Sequence, residues 1–263
     1  MPLPSIAVSD KRFQNKKGND WSGPPEGLTA QRAIRALENY GHHAESVLIG
    51  LALTAALLPR DMSNGPAPPA AGPLGPLVPH VDTSSAAAAA VPVGNFPQQI
   101  DPFTAVPEPG DGYGPMIMSF LEYTALRLGV VPRPERNALL WSGLLTPGTA
   151  DSTAGSTYTY TQRLGDVNFT LAIGEGEVFS GSRNGVQLFE AWGGLRVLTD
   201  LDGTVTEIWG ISDVTRDVGV KLLTGSSALL NLTLAPNEEW QVDMLQRPPS
   251  AKLIRSPPFY PPY

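Results

Sequence analysis

The chain has no cysteine among its 263 residues, which excludes disulfides, thiolate metal sites and a cysteine nucleophile. Charge is also scarce. Charged residues make up 16% of the chain, against about a quarter in typical soluble domains. The 18 Lys and Arg are outnumbered by 25 Asp and Glu, and no basic block is longer than Lys16-Lys17. Nucleic-acid binding draws on clustered cations that displace counterions from phosphates, so that class of partner is not expected. Long hydrophobic runs are missing too. The longest, residues 47–58, is broken by Gly50 and Thr54 and falls short of the roughly 20 residues that span a bilayer. It reads as a buried helix, and no membrane partner is expected. Residues 1–17 lack the apolar core of an export signal, which together with the absence of cysteine favours a cytoplasmic location. For the same reason Asn168-Phe-Thr and Asn231-Leu-Thr carry little weight as glycosylation sites.

Catalytic and metal motifs are equally sparse. His42 and His43 are adjacent and His80 stands alone, so no His-x-His or His-x-x-x-His spacing exists and no cofactor or metal is expected. No Gly-x-Ser-x-Gly elbow occurs. The Gly174-Glu-Gly-Glu stretch leads into a strand pattern, which is not the context of a dinucleotide loop.

What is abundant is glycine and proline, 27 of each, gathered into a few stretches. Residues 1–17 read as an N-terminal arm. Residues 18–145 read as a helical domain, interrupted at 63–94 by an insert with seven prolines and the alanine run 86–90. Apolar spacing predicts helices over 28–40, with Thr29 as N-cap, and from 43 or 44 to 58, joined by a turn at Gly41. Pro115 opens a third helix to 128, and a fourth is expected over 134–145 with Ala138, Leu139, Trp141 and Leu145 inward. These pair into two helical hairpins. From 155 to 245 the period changes to two, and about eight short strands are expected, with Asp202-Gly203 as a two-residue hairpin turn. Residues 246–263, with six prolines, read as an extended tail.

Three segments carry a family resemblance. Asp20-Trp-Ser-Gly-Pro leads into a helix that ends in Asn39-Tyr-Gly-His, and Gln98-Gln-Ile-Asp-Pro-Phe-Thr precedes the second hairpin, before the β-region. This order resembles the closing section of the six-hairpin, or (α/α)6-barrel, glycosidases, the group that includes trehalases and processing α-glucosidases. The resemblance covers roughly residues 18–145. It implies an α+β fold, with helical hairpins of an incomplete (α/α)6 toroid followed by an antiparallel β-sandwich-like module. It also implies a carbohydrate ligand and inverting hydrolysis of a glycosidic bond without a cofactor. By spacing from Pro102 the family's general base falls on Gln98, whose amide cannot take a proton from water as a carboxylate does. The segment that supplies the family's general acid has no equivalent here. Inverting hydrolysis needs two carboxyl groups about 6.5–9.5 Å apart, so the chain is expected to be inactive alone, completed by a second chain or by homo-oligomerisation.

The candidate site under that resemblance comprises Gln98, Asp101 and Asp111 as catalytic positions, with Trp21, Tyr113 and Glu108 contacting substrate. Asp111 lies between Gly110 and Gly112, which would let its backbone approach a ligand, though Asp101 and Asp111 also suit turn or helix caps. Trp21 serves equally as a sugar platform or as an apolar anchor, and the loop position of Tyr113 tilts it slightly toward ligand contact. Trp192, Trp209 and Trp240 could form a polysaccharide-binding row, or be core residues of the β-module. The alternative reading is a non-catalytic structural or interaction protein on the same scaffold, with the insert and tail docking onto other subunits.

Overall fold

The computed structural model describes residues 10–14, 24–57, 99–100, 113–144, 158–174, 177–224 and 227–260. Among them are α1 (Gly27–Tyr40), α2 (His43–Leu57) and α3 (Gly114–Leu128), a 3₁₀ turn (Pro134–Arg136), and twelve strands. The strands are β1 (Gly129–Arg133), β2 (Ala138–Gly143), β3 (Tyr158–Leu164), β4 (Val167–Ile173), β5 (Val178–Arg183), β6 (Val186–Trp192), β7 (Leu195–Asp200), β8 (Val205–Gly210), β9 (Arg216–Leu222), β10 (Leu229–Leu234), β11 (Glu239–Asp243) and β12 (Ser250–Arg255).

The chain divides into two compact units. In the first, which holds described residues up to 37, 48–57, 99–100 and 113–123, local chemistry fixes the helix ends. The α1 N-cap is not Thr29 but Glu26, whose Oε2 accepts hydrogen bonds from the Thr29 backbone N–H at 3.0 Å and its hydroxyl at 3.2 Å. Gly27 is required by close approach, since a Cβ there would lie 2.5 Å from the Met116 backbone nitrogen. The Ser119 hydroxyl donates to the Gly27 carbonyl at the same junction. Glu122 on α3 receives Gln31 at 3.2 Å and Arg35 at 3.3 Å from α1.

The second unit, residues 38–47 and 124–260, is built on two antiparallel six-stranded sheets. One has the order β1-β2-β7-β8-β11-β12 and the other β10-β9-β6-β5-β4-β3. Their facing sides form one apolar core that includes Leu139, Trp141, Phe169, Phe179, Phe189, Val197, Ile208 and Val220. Trp141 of the first sheet meets Phe169 and Phe189 of the second edge-on, at 6.1 and 5.5 Å between ring centroids. Its indole N–H donates to the Thr199 hydroxyl at 2.9 Å, which removes the cost of burying a polar group.

Among the described residues the expected helical toroid is therefore not present; three helices accompany a mostly β structure whose sandwich begins at Gly129. The fourth expected helix, 134–145, is the source of the error. Ala138–Gly143 is a strand in which every residue is buried, because β2 is covered on both faces. Such a run has no alternation to betray it, and its apolar spacing fits a helix equally well. Asn137, in the left-handed region at φ 51°, ends the 3₁₀ turn and starts the strand. β1 tolerates Pro132 because it is an edge strand. The β7–β8 hairpin is present, but Asp200 is its last β7 residue and its carboxylate accepts from the Asp202 and Thr204 N–H groups, giving a longer loop than two residues.

Candidate functional site

Two polar constellations stand out in the second unit, one buried and one open. The buried one lies on the side of the β1–β12 sheet that faces away from the apolar core. Arg196 of β7 is wholly buried; its Nη1 donates to both Glu38 carboxylate oxygens at 2.9 Å and its Nε to the Leu126 carbonyl at 3.0 Å. Glu38 also meets His43 Nδ1 at 3.1 Å and Arg133 at 3.4 Å. The other ring nitrogen of His43 meets Glu239 of β11 at 2.9 Å, and Arg255 reaches the same carboxylate at 3.3 Å. The imidazole stacks on Trp209, with centroids 4.4 Å apart and planes at 10°. Burial alone raises the Glu38 carboxyl pKa. The charges of Arg196 and His43, with the hydrogen bond from His43, more than reverse this and hold it well below the usual carboxylate range. Next to it, Glu45 takes the side-chain amide of Asn237 at 2.7 Å and the backbone N–H of Tyr260 at 2.7 Å, so the last described residues bind back onto α2.

This cluster contains an imidazole between two carboxylates, as many active sites do, but Glu38, His43, Arg196 and Glu239 are buried and paired with one another, while Arg133 and Arg255 are partly exposed and the Arg196 Nη2 atom is left without a hydrogen-bond partner. Among the described residues no set of three or more His, Cys, Asp or Glu is arranged to hold a metal. Its evident work is to join residues 38–47 to the sheet.

The open constellation lies on the solvent side of the other sheet, where β6, β9 and β10 run together. A shallow cleft, largely open to solvent, is lined by Trp192, Asp217, Val218, Asn231, Leu232 and Thr233. The register explains the grouping: Trp192 is opposite Gly219, Gly219 opposite Asn231, and Asp217 opposite Thr233. The indole leans across β9, because a Cβ on Gly219 would sit 2.0 Å from its Cζ2 atom. Glycine at 219 is thus what lets the ring settle on the sheet. Gly193, at φ +97°, follows directly and approaches the Asp217 carbonyl too closely for any side chain. Trp192 is half-buried and stands apart from the apolar core, while Asp217, Asn231 and Thr233 are exposed. The Thr233 hydroxyl donates to Asp217 at 2.7 Å, which orients both.

Of the positions chosen from sequence, Trp21, Gln98, Asp101, Glu108 and Asp111 lie outside the described residues. Tyr113 is half-buried and its hydroxyl donates to Glu26 Oε1 at 2.9 Å. Burial, then the bond to Glu26 and its charge, raise the phenol pKa. Gln99 pairs with Glu26 in an isolated bridge, and the Ile100 N–H donates to the Pro25 carbonyl at 3.1 Å. Glu26, overlooked in the sequence, is therefore the carboxylate where these segments meet, and its three hydrogen bonds there serve the helix start and Tyr113. The three tryptophans of the sandwich separate. Trp209 is buried against His43, Trp240 packs on the core, and Trp192 faces the cleft. They do not form a row. No protein-family model, curated protein or solved structure matches the chain, and among the described residues no helix is long and apolar enough to cross a membrane.

Proposed function

We propose that the chain binds carbohydrate through the solvent face of its sandwich, without a hydrolytic step at that site. The observation that carries this reading is the Trp192 indole seated on Gly219 beside the Asp217, Asn231 and Thr233 side chains. A pyranose offers an apolar C–H face and a rim of hydroxyls. An aromatic ring held against a sheet suits the first, and fixed amide, carboxylate and hydroxyl groups suit the second. The low charge of the chain favours a neutral or polar ligand over a polyanion. Hydrolysis would need a pair of carboxyl groups across the bond, and the cleft is lined by one, Asp217.

Affinity electrophoresis of the purified full chain through gels containing soluble polysaccharides tests the reading. Retardation by at least one polysaccharide, abolished by Trp192→Ala and partly kept by Trp192→Phe, is the expected result. Mobility that no polysaccharide changes, or retardation indifferent to Trp192, would favour the alternative of a structural or interaction protein.

A further inference from the structure

Beyond the cleft itself, the sheet that carries Trp192 presents a continuous solvent side whose composition narrows the ligand. Strand register places its side chains in rows that cross the strands. One row runs Asn231, Gly219, Trp192 and Val178 across β10, β9, β6 and β5. The next crosses the whole sheet as Leu229, Lys221, Glu190, Ser180, Ala172 and Thr159. Ser182, Thr170 and Thr161 continue the pattern one step further along β5, β4 and β3. Six strands span roughly 24 Å at about 4.8 Å between neighbours, which is much wider than a single sugar ring.

Three properties of this surface point the same way. On β5, β4 and β3 the side chains of these rows are short, from Val178 and Ser180 to Thr161, so little stands above the sheet there. Its donors and acceptors are mostly neutral: Thr159, Thr161, Asn168, Thr170, Ser180, Ser182, Asn231 and Thr233. The Thr161 and Thr170 hydroxyls lie 3.0 Å apart and hold each other in place. Each hydroxyl offers one donor and two acceptor positions, so capacity remains for a ligand. Charge is sparse as well. Lys221 stands opposite Glu190, and Arg163 pairs with Asp166 at 3.5 Å, which leaves Asp217 beside Trp192. A surface without clustered cations gives a polyanion such as nucleic acid or an acidic glycan no counterion-release advantage.

We infer that the ligand is a neutral polysaccharide, with one residue held at Trp192 and the chain continuing across β5, β4 and β3 over the Ser180, Ser182, Thr170 and Thr161 hydroxyls. The inference rests on the saccharide reading of the Trp192 cleft and adds the ligand's charge, its polymeric length and its direction.

Isothermal titration calorimetry with the full chain separates the two. The probes are glucose, disaccharides and hexasaccharides of the α-1,4 and β-1,4 glucan series, with hyaluronan oligosaccharides as the acidic comparison. The variants are Trp192→Ala and the triple Thr161→Ala/Thr170→Ala/Ser182→Ala, each checked by thermal unfolding. In the series that binds, the hexasaccharide is expected to bind roughly tenfold or more tightly than the disaccharide, the gain of two or three modest hydrogen bonds. The triple variant should erase that gain and leave the disaccharide unchanged, whereas Trp192→Ala should weaken both. Equal affinity for disaccharide and hexasaccharide, a triple variant that binds the hexasaccharide normally, or tighter binding of hyaluronan would overturn the inference while the Trp192 site stood. Binding that Trp192→Ala leaves intact would overturn the reading beneath it.

Discussion

The two sheets of the sandwich share a core, yet their outward faces are put to opposite uses. On the β1–β12 sheet the outward positions include Arg196, Trp209 and Glu239, all of them buried. On the β3–β10 sheet they include Thr161, Asp217, Asn231 and Thr233, all exposed. Alternation along a strand distinguishes core side from far side, but it does not say what the far side meets. The covered face holds charges that are paired within the chain. The open face holds polar groups with capacity to spare and one aromatic ring that is not needed by the core. That contrast is why Trp209, although it is flanked by a histidine and an arginine whose guanidinium carbon lies 5.4 Å from the ring centroid, is read as structural and Trp192 as functional.

The largest effect should come from breaking the covered face. Glu38→Gln leaves the fully buried Arg196 without its counter-charge, and removing one member of such a pair costs about 3–5 kcal/mol. Urea unfolding should show the loss as a lower midpoint, with saccharide affinity per folded molecule unchanged. A variant of wild-type stability would mean that Arg196 finds other partners and that the cluster is not a keystone.

The same carboxylate makes a pH prediction. The folded-state pKa of Glu38 is held below the unfolded value of about 4.3. Its contribution is therefore complete above that pH and is lost as pH falls through and below the ordinary carboxylate range. The gap in melting temperature between wild type and Glu38→Gln should be widest near neutrality and narrow steadily in acid. A gap that stays constant down to pH 3 would contradict the charge pairing as its source.

On the open face, Trp192→Ala should cost about 2 kcal/mol of saccharide affinity, the size of a well-seated aromatic contact. Stability should change far less than for a core residue such as Phe189, where truncation to alanine costs about 3–5 kcal/mol. Finding that Trp192→Ala unfolds the chain as readily as Phe189→Ala would place the indole among the supports of the fold.

The sequence made one half of this contrast legible and hid the other. Period-two alternation in Val167–Ile173, a strand with one wetter face, and the turn residues at 202–203 exposed the sandwich. α1 and α3 were legible because their apolar stripes and stop residues agree, and α2 because its long apolar run is bounded by Gly41 and Pro59. β2 was hidden since it has no wet face at all, and its misreading as a helix lent support to the toroid that the fold does not contain. Glu38, His43, Arg196 and Glu239 were beyond reach for another reason: His43 and Glu239 touch across 196 positions of sequence, and each alone looks like an ordinary surface residue. Trp192 was visible as a candidate but could not be told from Trp209 or Trp240 without the register that sets it over Gly219. The loop positions chosen by resemblance gave no hint of Glu26, whose role comes from a helix start and a tyrosine distant in sequence.

The smallest and most informative change is Gly219→Ala. The added methyl would occupy the place of the indole, so the ring must swing off β9. The position faces outward, between Val218 and Val220 of the core, so the apolar packing beneath need not move. Overpacking of this kind costs about 1–3 kcal/mol when neighbours cannot give way, but a half-exposed ring can rotate toward solvent, and the loss of stability should fall at the lower end. Saccharide affinity should fall nearly as far as in Trp192→Ala, because the ring is still present but no longer seated. A change in the Trp192 fluorescence environment without loss of binding would mean that the ligand follows the ring wherever it points. Loss of binding with the ring displaced would mean that the sheet's registration of the indole, rather than the indole itself, makes the site.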